Sequence, residues 1–291
     1  MTKLSSIFLA ACFLIIQGCA TTQPNNSALG NLVIAEPMPI SYKSEVALAR
    51  LTEVIQRAEI NDMQKAQLYY DRGVIYDSVG LRNLARLDFN RALRLKPDLV
   101  DAYNFLGIHF TQMQEFNQAY DQFDSAIDLN PAHEYAFLNR GIALYYGGRP
   151  QLAADDFEVF LAKQNNDPYR ILWLYLAEQQ VDNKVAIEKL KERSSFVSEQ
   201  VWAKQVIQLY LGEVSQSQFI QQLTANVHSN KALTDRLCEA YFYLGKYAQY
   251  KGEEKVAINF FKLALSTNVY EFVEHRYAKL ELDLIRQNNS Y

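Results

Sequence analysis

Read as apolar and polar positions, the chain divides into helix-length segments with a longer rhythm laid over them. Leu4 to Ile16 carries no charge, and residues 20 to 40, ATTQPNNSALGNLVIAEPMPI, keep no sustained period. From SYKSEVALARLTEVIQRAEI onward the pattern turns helical. Val46, Leu48, Leu51, Val54 and Ile55 form one stripe, with Ser44 or Ser41 placed to cap it. Past residue 65 the same residue types return every 34 positions. With position 1 at Ala66, Val100 and Glu134, position 8 is Gly73, Gly107 and Gly141, and position 20 is Ala85, Ala119 and Ala153. Position 24 is Phe89, Phe123 and Phe157. Position 27 is Ala92, Ala126 and, as a departure, Phe160; position 32 is Pro97, Pro131 and then Asn165, with Pro168 three residues later. A further copy starts at Cys238, with Gly245, Gly252, Ala257, Phe261 and Ala264 in register.

The spacing has a mechanical reason. Small residues at 8 and 20 let the two helices of a pair approach closely, and Phe at 24 fills the gap between them. Ala at 27 admits the next pair, and Pro at 32 stops the second helix. This is the signature of the tetratricopeptide repeat (TPR). The expected fold is all-α: a TPR helix-turn-helix solenoid, or superhelix, with degenerate TPR-like pairs and a C-terminal capping helix. Three repeats are placed at 66–167, after an N-terminal helical segment at 41–65. Residues 168–237 have room for two more helix pairs whose glycine pattern is lost. Residues 238–291 hold the last repeat and a helix, Glu271 to Arg286, expected to close the open end of the solenoid.

Composition narrows the function. The net charge is -4, and no run of Lys or Arg stands out, which argues against nucleic acid as a partner. None of the four histidines, His109, His133, His228 and His275, stands at metal-ligand spacing with another His or Cys. There is no G-x-S-x-G and no Walker A sequence. His109 and His133 read as structural. Glu274-His275-Arg276 and Asp155-Asp156 read as solvated helix faces, and YYGGRP (145 to 150) as the turn inside a repeat. No catalytic residue, metal or cofactor is expected, so the chain does not read as an enzyme.

The N-terminus reads as a lipoprotein signal peptide over residues 1–18. Lys3 supplies a short positive region, and the apolar stretch after it is too short to span a bilayer. An apolar residue, a spacer and a small residue before Cys19 resemble a bacterial lipobox, in which the Cys thiol takes the lipid. Cys12 competes, since LAAC is the better local match. Choosing it leaves too short an apolar region and puts FLII at the start of the mature chain. Cys19 is therefore the expected lipidation site. Ala20, under the same analogy, sorts the protein to the outer membrane, facing the periplasm. Residues 19–40 read as the lipidated Cys and a flexible tether, with a reach of roughly 25 Å. Cys238 remains as the one thiol of the folded part and is expected to be buried.

A TPR solenoid presents a concave surface, lined by positions 2, 5, 9, 12 and 13 of each first helix. Here these include Gln67, Tyr70, Val74, Asp77, Asp101, Asn104, Ile108, Thr111, Gln112, Tyr135, Leu138, Ile142, Tyr145 and Tyr146, with Asn139 bordering the same face. Aromatic and amide groups suit peptide backbone and apolar side chains. TPR proteins that grip a terminal carboxylate use Lys and Asn at positions 5 and 9. Asn104 and Ile108 stand there, so that charge clamp is not implied.

The stretches RGVIYDSVGLRNLARLDFNRAL (72 to 93), LNRGIALYYGGR (138 to 149), DPYRILWLYLAEQ (167 to 179), YFYLGKY (241 to 247) and FVEHRYAKLEL (272 to 282) run through nearly the whole mature chain. Together with the lipobox and linker they resemble the NlpI family of bacterial outer-membrane lipoproteins. The resemblance implies a homodimeric, non-catalytic adaptor anchored by lipid and facing the periplasm. Its implied partners are a periplasmic tail-specific (C-terminal processing) protease, the peptidoglycan endopeptidases brought to it, and other murein enzymes. Its implied role is the tuning of cell-wall growth and division. The competing readings are an assembly lipoprotein of a secretion or pilus system and a hydrolase hidden in the irregular segments.

Overall fold

The structure, a computed structural model, describes residues 32–57 and 59–288. The signal peptide, both candidate lipidation sites, Cys12 and Cys19, and the tether as far as residue 31 lie outside the described residues. Everything below concerns one compact unit that begins at Val33.

Among the described residues there are fourteen α-helices and no strand. A single helix, α1 (Tyr42–Arg57), leads into three regular pairs. These are α2 (Asp62–Ser78) with α3 (Arg82–Leu95), α4 (Val100–Gln112) with α5 (Phe116–Leu129), and α6 (Glu134–Tyr146) with α7 (Pro150–Ala162). Then come α8 (Pro168–Val181) with α9 (Asn183–Ser194), and α10 (Lys204–Tyr210) with α11 (Gln216–Gln222), the latter two only seven residues each. The chain ends on α12 (Asn230–Tyr250), α13 (Glu254–Ser266) and α14 (Val273–Asn288). The architecture is a TPR solenoid.

The periodic glycines and phenylalanines meet as their spacing demands. A Cβ on Gly73, Gly107 or Gly141 would stand 2.7, 2.5 or 2.7 Å from a ring carbon of Phe89, Phe123 or Phe157, and Gly245 meets Phe261 in the same way. Each ring is fully buried. The turn inside a pair is equally regular. The N–H of Leu81, Glu115, Arg149 and Glu253 returns to the carbonyl five residues earlier, at Tyr76, Phe110, Leu144 and Ala248. One residue before each stands in the left-handed region: Gly80, Gln114, Gly148 and Gly252. That closure satisfies carbonyls that a helix end would otherwise leave open. Three of the first helices start by side-chain capping, while α4, preceded by Leu99, has no side-chain cap. Asn61 and Gln64 form a capping box on α2, His133 Nδ1 accepts from Ala136 N–H on α6, and Asp167 accepts from Tyr169 and Arg170 N–H on α8.

Several expectations need correction. Ser41, not Ser44, starts α1: its Oγ accepts from Lys43 N–H. Residues 33–40 are not a free tether. Val33 O accepts from Tyr241 OH, Glu36 O from Asn230 and Thr234, and Met38 N–H donates to Thr267 O at 3.0 Å. These contacts strap the segment to the C-terminal helices, because its carbonyls meet polar side chains on α12. Asp156 is not solvated. Arg140 grips it with two bonds of 2.8 and 2.7 Å, as Arg72 grips Asp88 at 2.6 and 2.9 Å one pair of repeats earlier. Finally, α14 does not close the solenoid's end. It turns back into the concave face, packing on α4, α12 and α13, and so Glu274, His275 and Arg276 are buried.

Candidate protein-binding cleft

α14 enters the superhelix by ion pairing and aromatic stacking. Arg276 Nη2 lies 2.6 Å from Asp77 Oδ2, and His109 Nε2 lies 2.8 Å from Asp77 Oδ1. Burial alone would raise the Asp77 carboxyl, but the His109 hydrogen bond and the Arg276 charge hold it below its ordinary value. Tyr277 stacks on Tyr146 at 5.4 Å and meets Trp173 edge-on at 6.1 Å. Glu281 accepts from Tyr146 OH at 2.8 Å and from Lys246 and Gln249 at 2.5 and 2.8 Å.

This placement redistributes the residues expected to line the groove. Asp77, Thr111, Ile142 and Tyr145 are buried, and Tyr146 is held by Glu281, so none of them offers an open surface. Tyr70 and Val74 are half-buried against Phe89 and its neighbours. Gln67 is exposed and bonds Asp71, Asp101 is exposed beside His133, and Gln112 is half-buried. Asn104, Ile108, Tyr135, Leu138 and Asn139 still line open space. With Glu271, Val273, Arg276 and Tyr277 they enclose a cavity of about 230 Å³. A second cavity of about 440 Å³ adjoins it, sharing Tyr135, Leu138, Glu271 and Val273. The two form one cleft between the first helices of the second and third repeats and the chain that leads into α14.

Two features of the cleft are chemical. Asn139 Nδ2 donates to Asn104 Oδ1 at 3.0 Å. The pairing leaves one amide donor, Asn104 Nδ2, and one acceptor, Asn139 Oδ1, without a partner among the described residues. Both side chains are more than nine-tenths buried at the cleft floor. A peptide backbone offers the complementary acceptor and donor. The larger cavity is acidic. Glu239 accepts from Tyr169 OH and from Trp202 Nε1, and Glu274 accepts from Tyr243 OH at 3.3 Å. Burial raises both carboxyls. Glu274 is pushed up to about 8, first by burial and then by the charge of Glu239. Sequence reasoning missed Glu239, Glu271, Phe272, Val273 and Glu274. The loss of the glycine register after Asp167 marks where the regular repeats end, but it does not name these residues.

No group of three or more His, Cys, Asp or Glu among the described residues could hold a metal ion. No helix among them is long and apolar enough to cross a membrane.

Comparison with known proteins agrees with this geometry. Residues 66–99 match the family model for the tetratricopeptide repeat. A tetratricopeptide repeat protein from Parabacteroides merdae is similar with a TM-score of 0.55 at 17% identity, over 84% of this chain and 92% of its own. MamA matches with a TM-score of 0.47 at 20% identity, over 53% of this chain and 88% of its own. YrrB, described as a TPR protein with an unusual peptide-binding site, matches with a TM-score of 0.41 at 16% identity, over 83% and 98%. At such identities the likeness is one of fold. A TPR solenoid is a protein-interaction scaffold and is typically non-catalytic.

Proposed function

We propose that this chain is a lipid-anchored, periplasm-facing adaptor of the NlpI kind. It binds a tail-specific protease and peptidoglycan endopeptidases and brings them together. The observation that carries the reading is the hydrogen-bonded amide pair, Asn104 and Asn139, lining the floor of a cleft walled by the exposed ring of Tyr135. That arrangement suits an extended peptide. The family sequence resemblance supplies the identity of the partners. Cys19 carries the lipid. α1 serves the dimer: it packs chiefly on α2, and Tyr42, Val46 and Val54 remain exposed on it. Two tethered protomers raise the local concentration of protease and substrate, which promotes degradation with no catalytic group from the adaptor.

The test is affinity capture from periplasmic extract with the mature protein as bait, partners being identified by mass spectrometry. Recovery of a tail-specific protease together with a murein endopeptidase supports the adaptor. Recovery of pilus or secretion subunits in their place overturns it. Asn104→Ala with Asn139→Ala should remove at least one of the partners. If every partner stays bound, the cleft is not the docking site.

A further inference from the structure

The larger cavity is lined by more acidic groups than the protein pairs with cations. Asp167, Glu239, Glu271 and Glu274 line it, against the single cation Arg170. Arg170 is already engaged, by Glu134 at 3.0 Å, by Asp167 at 3.9 Å and by the Phe160 carbonyl at 2.5 Å. The partners of Glu239 and Glu274 are neutral donors: tyrosine hydroxyls and an indole N–H. Arg236, about one helical turn before Glu239, acts on it through its charge but spends its hydrogen bonds on the carbonyls of Leu223 and Ala225. Burial with no cation bonded to either carboxyl disfavours the ionised forms, and both pKa values are raised accordingly.

The walls are aromatic. Tyr135, Phe160, Tyr169, Trp173 and Phe272 surround the space, and Tyr135 is 53% exposed at its mouth. Acid at the floor with rings at the sides matches a long side chain that has an apolar stem and a cationic head. The cavity, about 440 Å³, sits at the small end of the ligand range of roughly 300–1,000 Å³. A metal ion is a poor alternative, since the acidic groups do not converge as a ligand set.

We propose that this cavity takes up a Lys or Arg side chain from a partner protein segment lying in extended form along the Asn104–Asn139 floor. The inference rests on the reading of the cleft as peptide-binding, and it assigns the partner's chemistry: a basic residue flanked by backbone that meets the two amides. The adjoining cavities share Tyr135 and Leu138, so one segment can fill both. The partner charge complements the acidic balance of the whole chain, net -4.

An array of random-sequence dodecapeptides, probed with the fluorescently labelled full-length protein, tests it. Bound peptides should be enriched in Lys or Arg at one position. Replacing that residue by norleucine should weaken binding at least tenfold, and comparing Lys with Arg there shows which head the site prefers. Glu239→Gln with Glu274→Gln should erase the enrichment and lose the same factor. The variant should keep its fold, since Gln matches each buried carboxyl in size and hydrogen-bonding groups, and a thermal melt checks this. Peptides held through Asn104 and Asn139 with no basic preference, or held equally by the Gln variant, overturn this inference and leave the peptide-binding cleft standing. If no peptide is lost on Asn104→Ala with Asn139→Ala, the cleft reading falls and takes the cation site with it.

Discussion

The regular pairs α2–α7 and the segment α8–α14 are built from the same kind of helix but held together differently. In the first region each pair is locked by a ring over a glycine sixteen residues away, and the contacts are between neighbours. In the second, α12 and α13 keep that lock through Gly245 and Phe261, but the bonds that place α14 join distant parts of the chain. Asp77 and Arg276 are 199 residues apart, and Tyr146 and Glu281 are 135 apart. The difference shows what each region contributes. Repeats build a surface one unit at a time. The irregular part folds back over that surface, seals most of it, and leaves one cleft of defined chemistry.

The long-range region should break first and hardest. Asp77→Ala leaves Arg276 buried without its partner and removes the hydrogen bond from His109. Breaking a buried ion pair from one side costs about 3–5 kcal/mol. Hydrogen exchange should speed up along α14 and on the facing sides of the helices it touches, α2, α4, α12 and α13, with little change in α5 and α7. Unchanged protection of α14 would mean that its docking does not depend on this pair.

Acid should act on the same contact. Burial holds His275 neutral, with its pKa lowered to about 4, and it also lowers His109 despite the Asp77 hydrogen bond. The unfolded chain takes up these protons from about pH 6.5 downward. Stability from the two rings is complete above that pH and drains away as pH falls toward 4. Glu274 works in the opposite sense. Its carboxyl stays protonated up to about pH 8, so its contribution is present below about 4.5 and fades as pH rises through 8. The melting temperature should form a dome against pH. Glu274→Gln should lift the alkaline limb by a few degrees and leave the acid limb in place. Parallel alkaline limbs for the two proteins would contradict the assignment.

The regular region should yield smaller and more local effects. Gly107→Ala puts a methyl 2.5 Å from the Phe123 ring. Overpacking of this kind costs about 1–3 kcal/mol. Phe123→Leu makes room, so the double variant should lose less than the two singles together, as a double-mutant cycle would read directly. Additive losses would show that the ring and the glycine are not one contact.

The same contrast explains what the sequence made legible. Gly73, Phe89 and their repeats at 34-residue spacing announced the solenoid because one contact recurs and its residue types cannot vary. The concave positions followed from helical geometry, and Asn104, Tyr135 and Asn139 do face open space. Asp77 and Tyr146 stand on the same face yet are covered, since that depends on where α14 goes. Nothing local in EFVEHRYAKLEL distinguishes an end cap from a helix that inserts. The buried Arg140–Asp156 pair was readable in principle, because Arg72 and Asp88 occupy the same two repeat positions and side-chain charges recurring in register signal a contact across the pair. Glu239 and Glu274 were not readable, for they meet only in the folded chain.

The smallest effect sits in the most regular feature, the turn between paired helices. Three of its four left-handed positions are glycines, and the second repeat has Gln114 at φ 62. A side chain in that region strains the backbone by about 1–2 kcal/mol. Glycine removes the strain but gives the unfolded chain more freedom, which returns about 0.4–1 kcal/mol of the gain. Gln114→Gly should therefore stabilise by about 0.5 kcal/mol, read as a rise in the denaturation midpoint at constant slope. The closing bond from Glu115 N–H to Phe110 O should persist, because its equivalents form around Gly80, Gly148 and Gly252. A loss of stability would mean that Gln114 makes contacts worth more than the strain it carries. The second repeat would then owe its turn to the side chain, where its neighbours owe theirs to glycine.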